Sequence, residues 1–433
     1  MTTPAPGSGG DRPYQDLVTR VRSQVAAQLA TAAQNVIGAV RQQLVGDLIR
    51  AALDAHAREC LSDGRMPLDP PVEAHVARAV LDALTGLGGL QPLLDNTEIE
   101  NINIKGADGV IVRYADGRRE RLPPVVGSQD ELVDLVRTIA ARSGAEERRF
   151  DRGVPRLSVQ LPDGSRLFAL MAVTERVCVS IRRHRFLKVS LDDLVGMGTL
   201  TTGLRDLFTA MVLAGRNIVV SGGTGRGKTT FVRALAQAIP AWERLITVED
   251  AYELALDRDP SRVDVEALQA REANIEGVGA IGLDELVRDA LRMSPDRVIV
   301  GEVRGKESLA MCMAMSQGND GSLATVHASS SRQALSRLAA YAMLAPEGLS
   351  FEAANLLIAG AVHFVIHLDQ TSDGHRVVSS VREIHHADAG EIVSNELFRP
   401  GPDRRATAAA PMRTDTMDQL AAAGFNPDQA LGW

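Results

Sequence analysis

The stretch NIVVSGGTGRGKTT, residues 217–230, constrains the fold of this chain more than any other segment. Gly222, Gly227, Lys228 and Thr229 fit the spacing GxxxxGK[ST], with an apolar strand before them and a helical pattern after. Glycines let backbone N–H groups turn inward around phosphate oxygens, and the start of the following helix adds its positive dipole end. Gly222, Gly223, Thr224, Gly225, Arg226, Gly227, Lys228, Thr229 and Thr230 therefore read as the phosphate-binding residues. Lys228 is placed to reach the β- and γ-phosphates, and the Thr229 hydroxyl to ligate Mg²⁺. A Gly-rich turn with a chance Lys-Thr is the competing reading, and the strand–loop–helix context argues against it. Triphosphate binding follows, but the loop does not say what hydrolysis drives.

A loop of this kind needs a mostly parallel sheet, and the surrounding pattern supplies one. Strands are expected at 217–221, 245–248, 297–301 and 322–326, alternating with helices at 228–238, 283–293, 306–316 and 331–343. Strands 362–368 and 376–385 close the domain, which is read as 200–398. With 433 residues the chain exceeds one ordinary core. Residues 1–13 are rich in Gly, Pro, Ser and Thr and read as disordered; 14–95 read as a helical region. Turns at Gly106–Gly109, Asp116-Gly117 and Pro162–Gly164 mark hairpins around a helix at 130–143, giving a small α+β domain at 96–186. A linker at 187–199 and a loose tail at 399–433 complete the division, and no internal repeat is visible.

Acidic residues at the ends of parallel strands are candidates for ordering Mg²⁺ and a water molecule. RLITVEDAYEL (244–254) ends on Glu249-Asp250, and RVIVGEVRG (297–305) ends on Glu302, with Gly301 where an Asp is usual. One such acid could be a solvated or capping residue; two in one domain favour a site. GSLATVHASS (321–330) adds His327, either a structural histidine or a sensor of the γ-phosphate. Arg271, Arg304 and the run Arg182–Arg185 are candidates to stabilise transition-state charge, against the alternative that each is a surface residue.

The net charge of −8 gives no general attraction to nucleic acid or anionic lipid. Cys60, Cys178 and Cys312 form no CxxC pair, which excludes a cysteine-built zinc module and fits a cytosolic chain with free thiols. NLLIAGAVHFVIHL (355–368) is too short and interrupted to span a bilayer, so membrane association would pass through a partner.

GGTGRGKTT, ITVED, EGVG, ALRMSPDRVIVGEVRG and GNDGSLATVHASS, in this order, resemble the secretion-ATPase superfamily of type II secretion, type IV pili and type IV secretion. Over roughly residues 96–370 the chain is most similar to the CpaF-type branch, which assembles tight-adherence (Tad/Flp) pili. The resemblance implies an α/β fold: a RecA-like P-loop ATPase domain preceded by a small PAS-like α+β domain and an N-terminal helical segment. It implies ATP and Mg²⁺, a homo-hexamer, and a polytopic inner-membrane platform protein as partner, with the chain cytoplasmic at the inner face of the membrane. No direct nucleic-acid partner is implied. Glu249 falls in the family's Asp box, Glu302 in its atypical Walker B, as a metal-side residue with Thr229, and His327 in its His box. Arg182 and Arg183 fall where family arginines reach the phosphates, and Arg271 where this branch usually has an Arg. EALQAREANIEG departs from the branch in lacking the usual Thr-Arg-Pro. Either Glu249 or Glu302 would orient the attacking water. Type IV secretion or conjugation is the runner-up. A nucleic-acid translocase would show DNA-stimulated turnover, and a nucleotide-gated structural component would bind ATP without releasing phosphate.

Overall fold

The computed structural model describes residues 12–32, 38–85, 87–142, 149–183, 188–273 and 276–426. The chain divides into two compact units, Met1–Arg185 and Phe186–Trp433.

The first unit opens with three helices, α1 (Arg12–Ala32), α2 (Gly38–Ser62) and α3 (Pro70–Thr85). Leu17, Val21 and Val25 recur at helical spacing on α1 and meet Val45, Ile49 and Leu53 of α2 and Val76 and Val80 of α3 in one core. The short helix α4 (Gln91–Asp95) leads into β1 (Ile99–Lys105), β2 (Val110–Tyr114) and β3 (Arg119–Leu122). Helix α5 (Gln129–Arg142) follows, and then β4 (Arg156–Gln160), β5 (Arg166–Leu170) and β6 (Cys178–Arg182). All six strands form one antiparallel sheet in the order β3-β2-β1-β6-β5-β4. Alternate residues such as Ile102, Ile104, Val179 and Ile181 share a second core with Leu132, Val136 and Ile139 of α5. The helical region and the α+β domain, separate in the sequence reading, thus form one compact unit with two cores. Residues 1–11 of the expected disordered segment lie outside the described residues, while Arg12 and Pro13 already belong to α1.

The second unit begins with α6 (Leu191–Gly196) and α7 (Thr202–Leu213). The expected linker 187–199 is therefore corrected: it carries a capped helix. Ser190 and Asp193 cap it reciprocally, and Leu191 and Leu194 enter the core. Then come β7 (Ile218–Gly222), α8 (Lys228–Gln237), β8 (Leu245–Glu249), β9 (Val265–Gln269), α9 (Leu283–Leu291) and β10 (Arg297–Val303). They are followed by α10 (Glu307–Ser316), β11 (Leu323–His327), α11 (Ser331–Ala342) and α12 (Phe351–Ala361). The closing elements are β12 (Phe364–Gln370), β13 (Arg376–Asp388), β14 (Glu391–Pro400), β15 (Ala406–Ala408) and α13 (Thr414–Ala422).

Nine strands make one sheet in the order β15-β14-β13-β12-β7-β11-β10-β8-β9. The six from β12 to β9 are parallel, and β13 to β15 add on antiparallel. Every residue of β7 and β8 is buried, which is why both read as nearly unbroken apolar runs. The loose tail read at 399–433 is a second correction over residues 399–426, while 427–433 lie outside the described residues. Pro400 still pairs with Ala406 across the β14–β15 turn, and α13 buries Leu420 in the core that holds α7, with Phe425 beyond it. Among the described residues of this Ala- and Asp-rich stretch only Leu420 and Phe425 are buried there, with Met412, Met417 and Ala423 packed against the same core at uneven spacing. Strand β9 was also not anticipated.

Candidate nucleotide site

Strand β7, the central strand of the nine and the second of the six parallel ones, delivers the glycine loop. Gly222 has φ 156°, and a Cβ there would stand 2.7 Å from the Leu368 carbonyl oxygen of β12. Gly225 (φ 75°) and Gly227 (φ 88°) take left-handed conformations that only glycine adopts at little cost. Gly227 is the N-cap of α8 and brings no side chain to it, leaving the first N–H groups of the helix for an anion. Thr224 and Gly225 sit exposed at the crest, and Gly223 and Thr230 flank it half-buried.

Lys228 is buried, and its Nζ donates to the carbonyls of Gly222 and Gly223, each at 3.1 Å. The same Nζ lies 3.2 Å from Nδ1 and 3.3 Å from Nε2 of His327, at the end of β11. The Thr229 hydroxyl donates to Oε2 of Glu253 at 3.3 Å. Arg226 hydrogen-bonds Gln370 and lies 3.7 Å from Asp369, both on β12, while Arg376 Nε of β13 donates to the Gly225 carbonyl at 3.0 Å.

The neighbouring strand ends carry the acids. Glu249 is buried at the end of β8, where its Oε2 accepts from the backbone N–H of Glu253 (2.7 Å) and Leu254 (2.8 Å). Thr247 donates to its Oε1 at 3.3 Å. Burial outweighs these hydrogen bonds and raises its carboxyl from 4.5 to about 7. Its carboxylate is thereby committed to the turn that follows β8. That turn is held from the other side by Arg233, buried on α8, which donates to the Leu254 carbonyl at 2.8 Å and to that of Glu253. The result brings Glu253 to Thr229.

Glu302 ends the equivalent stretch of β10. Its Oε2 accepts from Arg304, whose other nitrogen reaches Asp250 at 3.4 Å. Its Oε1 lies 2.5 Å from His327 Nε2 without hydrogen-bond alignment, and this buried atom accepts no hydrogen bond among the described residues. A continuous row of polar contacts, Lys228–His327–Glu302–Arg304–Asp250, thus crosses the carboxyl ends of β7, β11, β10 and β8 in sheet order.

The other sequence candidates are described within their own units. Arg271 pairs its backbone with Ile281, and its Nε donates to the Gly279 carbonyl at 2.7 Å, so its side chain is turned onto its own loop. Arg182 and Arg183 belong to the first unit. Arg182 stands opposite Arg166 on β5 and Asn101 on β1; Arg183 hydrogen-bonds the Asn96 carbonyl and lies 3.9 Å from Asp163.

Glu253 and Arg376 were missed in the sequence. The spacing Glu249-x-x-x-Glu253 in one strand-end turn was the available signal for the first; nothing local marks Arg376. Among the described residues no group of three or more His, Cys, Asp or Glu side chains stands ready to hold a metal. The donor set fits Mg²⁺ only as an ion shared with phosphate: the Thr229 hydroxyl, the Glu253 carboxylate and the orphaned Glu302 Oε1 are hard oxygen ligands.

A family model described as "Type II/IV secretion system protein" matches residues 111–395. A putative conjugal transfer protein of Mycobacterium tuberculosis is 34% identical over 322 residues, covering 72% of this chain and 88% of the relative. The type IV secretion system protein PtlH of Bordetella pertussis is 37% identical over 164 residues, covering 37% and 47% of the two chains. Among solved structures, the VirB11 ATPase of the Brucella suis type IV secretion system aligns over 68% of this chain and 94% of its own, with 26% identity and a TM-score of 0.36. No helix among the described residues is long and apolar enough to cross a membrane.

Proposed function

The chain belongs to the type II/IV secretion system protein family, and from that premise we propose that it is an ATPase motor of secretion or pilus assembly. The observation that carries the ATPase reading is the row from Lys228 through His327 to Glu302, set beside a complete glycine loop. On this reading Lys228 serves the phosphates and Glu302 the water, from the strand ends on either side of β11.

On this reading the second unit is RecA-like and the α+β part of the first is PAS-like. In the working cycle Lys228 exchanges the Gly222 and Gly223 carbonyls for phosphate oxygens, and the loop amides cradle the β-phosphate. Mg²⁺, when bound, neutralises charge on the β- and γ-oxygens. Thr229 and Glu253 would hold it from the chain's side. Glu302 orients the attacking water, because Glu249 is committed to its turn. His327, against both Lys228 and Glu302, reports the γ-phosphate position to the acid. Arg304 holds Glu302 to the β8 end. Arg182 and Arg183, of the same or a neighbouring subunit, clamp the phosphates, and Arg271 joins them once it leaves its own loop.

Assembly is proposed as a homo-hexamer in the cytoplasm, docked on a polytopic membrane platform. The helices before residue 96 favour a Tad/Flp pilus motor. The relatives named for conjugal transfer and type IV secretion favour the second reading, a motor of that export class. Steady-state phosphate release by the purified chain tests the core claim. No release would overturn it, and turnover that Glu302→Gln leaves intact would overturn the role given to Glu302. Sedimentation with ATP tests the hexamer, and co-purification with small prepilins or with a conjugation channel separates the two readings.

A further inference from the structure

The hairpin that closes the parallel part of the sheet grips the glycine loop at one peptide. Arg376, the first residue of β13, donates Nε to the Gly225 carbonyl at 3.0 Å. Its Cδ would lie 3.4 Å from a Cβ at Gly227, so the side chain runs along the loop rather than past it. The next residue in the loop, Arg226, sends its side chain back to the same hairpin, onto Gln370 and toward Asp369. One peptide unit, Gly225–Arg226, is therefore held at its carbonyl by β13 and through its side chain by β12.

The hairpin is built to be rigid. Its turn closes with Thr371 N–H to the His375 carbonyl (2.9 Å) and Gly374 N–H to that of Thr371 (3.0 Å). Gln370 is pinned by its own Nε2 on the Gly374 carbonyl at 2.5 Å. Seven ladder pairs join β12 to β13, and β12 also lies directly beside β7. The grip on the loop is thus referenced to the strand that carries the loop.

In a planar trans peptide the C=O and N–H point in opposite directions. A group that draws the Gly225 carbonyl outward turns the Arg226 N–H the other way. We propose that Arg376 is a positioning residue of the nucleotide site: it orients the Gly225–Arg226 peptide so that the Arg226 N–H faces the phosphate cradle before any nucleotide arrives. A loop with two left-handed glycines has many other conformations, and each misoriented amide is a lost phosphate donor. The role rests on the proposed nucleotide-binding function and adds to it a specific source of pre-organisation.

The test is nucleotide binding by the full chain, with ADP, ATP and pyrophosphate as probes. Arg376→Ala is expected to weaken all three by about tenfold, the equivalent of one hydrogen bond, with kcat at saturating ATP within about twofold of the parent. Arg376→Lys, which keeps a donor, restores part of the loss. Gln370→Ala, which frees the same peptide from the other side, shifts affinity in the same direction and serves if Arg376→Ala does not fold. Unchanged affinity in both variants would overturn the proposal, as would a fall in kcat at unchanged affinity. If the parent itself binds none of the probes, the function proposed above fails instead.

Discussion

Gly301 and Glu249 stand side by side at the ends of β10 and β8, and a Cβ on Gly301 would lie 3.0 Å from Cγ of Glu249. This contact explains why a glycine occupies the place where an Asp is usual. The space such a side chain would use is filled by a buried carboxyl from the neighbouring strand. The acid that would have stood at 301 is in effect displaced to 302, one residue further along β10.

Gly301→Ala is expected to destabilise the nucleotide-free chain by about 1–2 kcal/mol through overpacking. Gly301→Asp, which adds bulk and a charge in the space filled by a buried carboxyl, costs about 3 kcal/mol or more. Thermal melts of the two variants measure this, and parent-like midpoints for both would refute the packing argument.

Glu249 sets a pH dependence. Its folded-state value of about 7 lies above its ordinary 4.5, so the native state binds the extra proton between those limits. Its contribution to stability is full below about 4.5 and is lost as pH rises through about 7. Glu249→Gln, which cannot titrate, should therefore gain on the parent by about 3 kcal/mol between pH 4.5 and 8. Denaturation curves of both chains at each end of the range give the difference, and a gap that does not change with pH would count against a buried, protonated Glu249.

Glu302→Gln should bind ATP within about threefold of the parent while kcat falls about 10²–10⁴-fold. Lys228→Ala should instead lose binding. Equilibrium binding and phosphate release on the same preparations separate the two effects.

Glu253 is expected to help hold Mg²⁺ together with Thr229, whose hydroxyl donates to it. Glu253→Ala should raise the Mg²⁺ concentration for half-maximal turnover by about tenfold or more. A Mg²⁺ titration at fixed ATP checks it. An unchanged midpoint would leave Glu253 as a turn residue only.

Leu420→Ala should cost about 2–4 kcal/mol, because Leu420 is fully buried on α13. A loose tail would show no change in the melt.

What could be read from the chain followed the range of the interactions. The glycine loop and its strand are local, and so were legible down to Lys228 and Thr229. The meeting of Glu302 and His327 was legible because parallel strands bring their carboxyl ends to one edge of the sheet. Glu253 was not, since its partner Thr229 lies in the first turn of α8, with the rest of that helix and all of β8 between them in the chain. The same holds for Arg376, whose partner Gly225 is brought near only by the β12–β7 pairing. Helix α6 was hidden by its length, although the pair Ser190 and Asp193 at capping distance announced it. For Arg271 the type and place of the residue were suggestive, but its hydrogen bond to Gly279 decides where the side chain goes.

The packing of α13 also bears on the order in which the molecule is made. Leu420 and Phe425 complete the core that contains Phe231 and Leu235 of α8, the helix that begins at Lys228. The ribosome produces them long after the glycine loop has emerged. A nascent chain would therefore carry its whole nucleotide motif while the core beneath that motif is still open. Domains fold as units during synthesis, and here the unit closes only when its C-terminal clasp arrives. ATP competence would then begin with completion of that clasp rather than with emergence of the loop.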